Sequence, residues 1–250
     1  MKKFNVMKTI VMTMLFSAAT MYGCTCRYET ITLAGVNDEQ HFSVSEFTKL
    51  NVHSALEVVV CDSVTDMVVT TDRNLLPYLQ ISQSGKSLSI GYPCGLNWIG
   101  NASTHVLLPS QKALQDLAIS GASQVTIERT IDASEIDIDL SGASVLSADI
   151  AAQEADINLS GSSVANLQGS INRLEVGISG ASQLVSEKSD NQYLLRANDI
   201  KGTLSGSSHL YVHSDGAIRC NVSGASVIFY TGTATTANSD CTGASTIVHE

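Results

Sequence analysis

The sequence predicts an all-β fold. It reads as a right-handed parallel β-helix, a solenoid with a period of about 19 residues, preceded by an irregular β-rich N-terminal portion. Three observations carry that reading. The phrase Ser-Gly-Ala-Ser, or a near copy, is written seven times, around Gly121, Gly142, Gly161, Gly180, Gly206, Gly224 and Gly243. Those glycines stand 21, 19, 19, 26, 18 and 19 residues apart, which is a solenoid spacing and too short for a propeller blade. Apolar and polar residues alternate on either side of each glycine, the mark of strands with one buried face.

Taken from the N-terminus, the chain opens with Lys2, Lys3 and Lys8 and an uncharged apolar run over residues 9–19. That run is too short for a comfortable membrane span and ends in small residues, so 1–23 reads as a secretory signal. Met21-Tyr22-Gly23-Cys24 has the pattern of a bacterial lipobox, with Met21 and Tyr22 departing from its usual residues, and makes Cys24 the expected lipidation site. Residues 24–45 read as a linker and 46–250 as one domain. Within it, 46–110 form a capping part and 111–250 the repeated coils, since a solenoid end needs covering.

In the capping part, short strands are expected at 47–52, 55–61, 67–71, 78–82, 88–90 and 105–108, with Ser84-Gly85-Lys86 a hairpin turn. In the coils, the residue two before each glycine is inward: Ile119, Leu140, Leu159, Ile178, Leu204, Val222 and Cys241. Each repeat then holds a strand that arrives at the corner, a strand that leaves it and a short return. Parallel crossovers are overwhelmingly right-handed, which sets the hand of the coil. Glycine admits the corner's backbone angles, and the serine two residues after it forms a column of hydroxyls able to satisfy corner backbone groups. A nucleophile is not the reading here: seven serines would compete for the role, and no fixed His or Asp accompanies them. The 26-residue spacing hides an insertion at about 187–199 that contains Tyr193-Leu194-Leu195.

Phe47-Thr-Lys-Leu-Asn-Val52, His105-Val-Leu-Leu-Pro109 and Leu117-Ala-Ile-Ser-Gly-Ala-Ser123 with its echoes resemble the autotransporter-adhesin head family called GIN domains, found in envelope proteins of Bacteroidota. The resemblance covers most of 46–250. It implies a β-helical surface or periplasmic protein and transfers no catalytic residue.

Charge narrows the function. Removing 1–23 takes three lysines and no acid from 14 basic and 24 acidic residues, leaving a net charge of −13. A phosphate backbone needs a basic footprint, so nucleic acid is excluded as a partner. Membrane attachment is expected through the lipid alone. Five residues before the glycines stand Asp116, Asp137, Asp156 and Glu175, followed by Lys201 and Arg219, with Asp139 and Asn158 on the same face. Stacked carboxylates repel unless compensated, so Asp116, Asp137, Asp139, Asp156 and Glu175 are candidate Ca²⁺ ligands set against a solvated acidic stripe; no other cofactor is expected. Five residues after the glycines, Val185, Tyr211, Phe229 and Val248 form an apolar column, a candidate binding patch or a surface covered by the insertion.

The cysteines suit an oxidising compartment. Cys61 with Cys94 is a possible pair, while Cys220 and Cys241 lie diagonally on inward positions and read as buried thiols. His209 and His213 are four residues apart on one strand, too far to share a zinc ion, and read as surface residues. Trp98 sits in a loop that is a recognition tip or an anchored loop. The last coil offers an edge for homo-oligomerisation. The leading reading is a non-enzymatic outer-membrane lipoprotein, an adhesin-like module presenting its coil to a glycan or to an envelope or host protein. The alternatives are a carbohydrate-active lyase or hydrolase using Asp137, Asp139 and Asp156, and a structural periplasmic protein.

Overall fold

The alternation read from the repeats becomes strand pairing. In the computed structural model, which describes residues 29–111 and 113–250, strand makes up 62% of the described residues. Among the described residues helix amounts to one 3-10 turn, Leu76–Tyr78. The fold is therefore all-β. The expected signal segment 1–23 and the expected lipidation site Cys24 lie outside the described residues.

Gln124–Leu140, Val145–Leu159 and Val164–Ile178 each leave one Ser-Gly-Ala-Ser corner and arrive at the next. They pair in parallel, one repeat on the next: Val125 faces Leu146 and then Ala165, and Ile138 faces Ile157 and then Val176. The arriving side continues through Leu195–Leu204 and Ala217–Val222 to Asp240–Cys241. The leaving side continues through Gln183–Val185, His209–His213 and Val227–Thr231 to Thr246–His249. Val164–Ile178, Gln183–Val185, His209–His213 and Leu195–Leu204 also close on one another, a four-strand barrel with the other strands around it. Inward positions such as Leu117, Ile138, Ile157 and Val176 merge into one continuous core, so burial along the stack, rather than any local propensity, fixes the register.

The corners stack as tightly as the strands. The N–H groups of Ala143, Ser162 and Ala181 donate to the carbonyls of Gly121, Gly142 and Gly161 at 2.7–2.9 Å. Ser123, Ser144, Ser163, Ser182, Ser208 and Ser226 are fully buried. Ser144 and Ser163 Oγ donate to the carbonyls three residues earlier at 2.8 and 2.7 Å, and Ser182 and Ser226 Oγ accept from the N–H groups of Ser163 and Ser208. The serine column is a hydroxyl ladder.

At the N-terminal end, stacking order and chain order part company. Lys49–Val52 and Leu56–Cys61 sit between the rung made by Ser87–Gly91 with Thr104–Pro109 and the rung that begins at Asp116. Their corner is Ser54-Ala55, both at positive φ, packed against Gly121. Antiparallel strands then complete this end: Gln80–Ser84 on Ser87–Gly91, Met67–Asp72 on Thr104–Pro109, and Asn37–Phe42 on Met67–Asp72.

Three expectations are corrected. The described part of the expected linker, residues 29–45, contains the strands Glu29–Thr32 and Asn37–Phe42. The second is polar because it is half-exposed, and Asp72 ties down the turn before it by accepting the N–H groups of Ala34 and Gly35 at 3.0 and 2.8 Å. Tyr78 lies in the 3-10 turn, and the strand begins at Gln80; Pro77 lacks the N–H a strand would use. Cys61 and Cys94 are not bonded to each other. Cys61 is a buried free thiol opposite Pro109, whereas Cys94 is in a disulfide and precedes Leu96–Ile99, a separate parallel pair with Glu29–Thr32.

Candidate binding faces

The acidic residues do come together on one face. Lys49, Asp116, Asp137, Asp156, Glu175, Lys201 and Arg219 stand in successive rungs in register, at the ~4.8 Å spacing of paired strands. Lysines close both ends of the acidic run: Lys49 Nζ is 2.8 Å from Asp116 Oδ2 and Lys201 Nζ 2.6 Å from Glu175 Oε2. Asp116 also holds the Lys49 amine above its ordinary range. The middle of the ladder lacks such a partner. Partial burial pushes the Asp156 carboxyl up, the charges of Glu175 and Asp137 push it further, and the Asn158 amide pulls it back. Among the described residues, no three or more His, Cys, Asp or Glu side chains converge as a metal site; Asp116, Asp137, Asp156 and Glu175 line up as a ladder instead, and Asp139 stands in the neighbouring column with Asn158.

Beside the ladder runs an open groove of about 360 Å³ that crosses four rungs. Asp139, Asn158, Gly177 and Thr203 are its register-matched floor, and Ser141, Ser160, Ser179 and Ser205 its wall. Gly177 keeps the floor open. A Cβ there would lie 2.5 Å from Asn158 Oδ1, and the Asn158 amide is held by Asp156 Oδ1 at 3.0 Å. Ser160 and Ser179 hydroxyls reach only the carbonyls of Leu140 and Leu159, at 3.4 and 3.5 Å. Such long bonds leave the hydroxyls available to a ligand. Sequence reasoning missed this groove because it weighed only the second serine of each phrase. The signal was present: a serine stands before six of the seven glycines, and Thr242 before the seventh, with the same period.

The apolar column also exists, but as a ladder of its own. Tyr211 faces Phe229, which faces Val248, and Val185 faces Asn166 one strand earlier. The Tyr211 and Phe229 rings stack at 4.9 Å and 8°, with His209 parallel to both at 6.3 Å. Rings stacked along the coil hide their faces in one another and show solvent their edges. The insertion covers one flank. Buried Tyr193 meets Tyr211 edge-on at 5.7 Å. Lys188 lies over the Tyr193 ring, and both Lys188 Nζ and Tyr193 Oη bond Glu250 Oε2 at 2.6 Å. Val185, Tyr211, Phe229 and Val248 are each half-buried as a result.

The histidines divide. His209 belongs to the stack, while His213, read as a surface residue, is buried. Its ring bridges Thr231 Oγ1 at 3.0 Å and Asp215 Oδ2 at 3.2 Å, and Thr231 Oγ1 accepts the Tyr193 N–H. That places a hydroxyl, an imidazole and a carboxylate in line, but Thr231 is 2% exposed and already engaged with the insertion. The arrangement pins the insertion to the coil. Cys220 is buried, and desolvation pushes its thiol up to about 12. Cys241 corrects the second buried-thiol expectation. It is exposed, because no further described rung covers the inward position that Val222 occupies one coil earlier.

The sequence profile of a family described as "putative auto-transporter adhesin, head GIN domain" matches residues 46–234. Among curated proteins none matches the chain. Among solved structures, a "putative adhesin" from Bacteroides fragilis aligns at a TM-score of 0.74 and 17% identity, covering 88% of this chain and all of that one. One from Parabacteroides merdae aligns at 0.66 and 14%, covering 88% and 99%. A "putative lipid binding protein" from Parabacteroides distasonis aligns at 0.62 and 15%, covering 89% and 100%. At these identities the likeness is one of fold.

Proposed function

The chain belongs to the auto-transporter adhesin head GIN domain family, and from that premise we propose a non-enzymatic binding module of the cell envelope. In this reading a lipid on Cys24 holds it to the outer membrane, and the flank of a right-handed parallel β-helix is presented to a glycan or protein partner. The stacked parallel pairing supports the β-helix, and the strong preference of parallel crossovers supports its hand. Solved proteins of similar fold bearing the name adhesin support the class of function.

The observation that carries the reading is the groove. Its serine hydroxyls repeat over four rungs beside one amide, of Asn158, and one carboxylate, of Asp139, which suits a ligand that itself repeats polar groups along its length. Asp137, Asp156 and Glu175 border it, so a polyanion is repelled, and a neutral or amino-bearing glycan or a basic peptide segment is favoured. Lys49 and Lys201 offset the charge at the two ends of the acidic ladder and leave Asp137 and Asp156 in its middle to set the charge beside the groove.

The test is binding of the purified Cys24→Ala protein to neutral, amino and acidic glycans and to envelope fractions. The reading expects a ligand whose binding is lost when the groove is filled by Ser179→Trp with thermal melting unchanged. A ligand indifferent to that substitution moves the site elsewhere. A new reducing or unsaturated end on a bound glycan overturns the non-enzymatic assignment. Protease shaving of intact cells, with Cys24→Ala as the control, then tells which side of the outer membrane the coil faces.

A further inference from the structure

We propose that a second groove, on the other half of the coil's long strands, binds a glycan bearing an isolated carboxylate, with Arg196 as the partner of that carboxylate. Asn158 of Val145–Leu159 lines the first groove, and Asp149, Ile150 and Ala151 of the same strand line this one. It is open and about 430 Å³ in volume.

Unequal coil lengths build it. Gly142, Gly161 and Gly180 are spaced by 19 residues, whereas the coil before them takes 21 and the coil after them 26. Coils of equal length stack flush, and extra residues must leave the surface. Between Ile127 and Ile131 stand Glu128, Arg129 and Thr130, all exposed, where the paired strand has Asp149 alone. Between Val185 and Leu195 the insertion intervenes, where the paired strand has only Leu167 and Gln168. Two flush coils thus make a floor between a bulge and the insertion, roughly 10 Å wide at the spacing of paired strands. Thr130 lines the bulge side, and Leu194 and Arg196 the insertion side. On the floor Asp149 faces Gln168 and Ala151 faces Ser170. Gly169 leaves a dent between them, because a Cβ there would collide with the Ile150 carbonyl oxygen.

The polar groups of this groove are unspent. Among the described residues, the side chains of Thr130, Asp149, Gln168 and Ser170 make no hydrogen bond or ion pair. The other four described arginines each face a carboxylate: Arg73 that of Asp38, Arg129 of Asp62, Arg173 of Glu154 and Arg219 of Asp199. Arg196 instead gives one Nη2 hydrogen to Gln192 Oε1 of the insertion at 2.9 Å. That bond fixes the guanidinium and leaves the rest of its donor fork open, the geometry that takes a carboxylate through two parallel bonds.

The remaining groups narrow the ligand. Asp149 lies two rungs and two residues from Arg196, about 12 Å between Cα atoms. The groove therefore has one positive and one negative end, and a uniformly acidic polymer meets Asp149. A peptide strand finds no edge to join, since the floor strands lie inside the stack with neighbours on both sides. A sugar chain needs no such edge, because its hydroxyls bond side chains such as Thr130, Gln168 and Ser170. The site does not depend on the first groove, whose border is acidic.

Calorimetric titration of the purified protein tests the proposal with hyaluronan oligosaccharides, in which uronate alternates with a neutral sugar, and with a sialylated oligosaccharide. Each is compared with its carboxyl-reduced form and with oligogalacturonate, which is acidic at every ring. An acid-bearing chain is expected to bind, and carboxyl reduction or Arg196→Gln to weaken it by roughly 10- to 100-fold, with melting unchanged. Arg196→Lys, which keeps the charge and loses the fork, is expected to retain part of the affinity. Ser170→Trp fills the groove and is expected to abolish binding, whereas Ser179→Trp in the first groove leaves it intact. Failure of both acid-bearing chains to bind overturns the proposal, as does binding indifferent to carboxyl reduction or to Arg196→Gln. Binding lost in Ser179→Trp and kept in Ser170→Trp also overturns it, and assigns the sugar to the first groove.

Discussion

The carbonyl oxygen of Gly142 would lie 2.5 Å from a Cβ placed on Gly161. That oxygen already accepts the Ser162 N–H at 2.7 Å, and Gly161 has φ +77°. Gly161→Ala therefore imposes a left-handed backbone on a side chain, about 1–2 kcal/mol, and displaces a stacking hydrogen bond. A total near 2–4 kcal/mol lowers Tm by roughly 5–15 °C in a domain of this size. At Gly243 the corresponding oxygen is 2.9 Å away and only one rung is disturbed, so Gly243→Ala should lose less than half as much. Equal losses in thermal melts would mean that the corners do not stack the coil.

Within one phrase the two serines should behave in opposite ways. Ser163 is fully buried, and its hydroxyl donates to the Ser160 carbonyl at 2.7 Å. Ser163→Ala leaves that carbonyl short of a partner and costs about 1–2 kcal/mol. Ser160 is exposed on the groove wall, and Ser160→Ala should stay within about 0.5 kcal/mol. Denaturant titration of the pair checks this. For a groove-bound ligand the order reverses, with Ser160→Ala weakening binding and Ser163→Ala sparing it.

Period-two alternation around a recurring glycine is strong evidence because burial and backbone geometry both enforce it. Hence Val125, Ile138 and Ile157 could be placed inward, and Asp137 set in register with Asp156, from spacing alone. The N-terminal part was less legible. Lys49–Val52 stacks between segments that follow it in the chain, and no local pattern encodes such an order. Asn37–Phe42 carries polar residues on an edge strand, so its alternation is muted. At the site, the ladders Asp116–Glu175 and Tyr211–Phe229 were visible as columns. The covering of the second by Tyr193, and the burial of His213 against Thr231, depend on where an irregular insertion lands.

Two carboxylates should give opposite pH signatures. The fold raises the Asp156 pKa, so its ionised form is disfavoured and stability is lost as pH rises through the raised value. Asp156→Asn removes that penalty. Relief of cross-strand repulsion of about 0.5–1 kcal/mol lifts Tm by roughly 1–4 °C at neutral pH, and salt should shrink the gain. The fold lowers the Asp72 pKa: its desolvation is outweighed by the backbone N–H groups of Ala34, Asn74, Gly35 and Val36. Its contribution is present above the unfolded pKa and is lost as pH falls through the folded one. Asp72→Asn should lower Tm at pH 7 and converge with the parent in acid. Melting curves between pH 3 and 8 that run parallel for all three proteins would contradict both assignments.

Thiol reactivity should sort the cysteines by burial. The thiolate is the reacting species, and desolvation lifts Cys220 to about 12, so at pH 8 almost none of it is ionised. Cys61 is 2% exposed and closed to the reagent by burial. Cys241 lies on the exposed last described rung. Iodoacetamide added to the folded protein should therefore modify Cys241 alone among the described cysteines, with Cys61 and Cys220 following on unfolding and Cys94 only after reduction. Mass mapping of the labelled peptides checks the order. Labelling of Cys220 at a rate close to that of Cys241 would mean that the coil opens locally between Ala217 and Val222, and the C-terminal rungs would then be the first part of the stack to unfold.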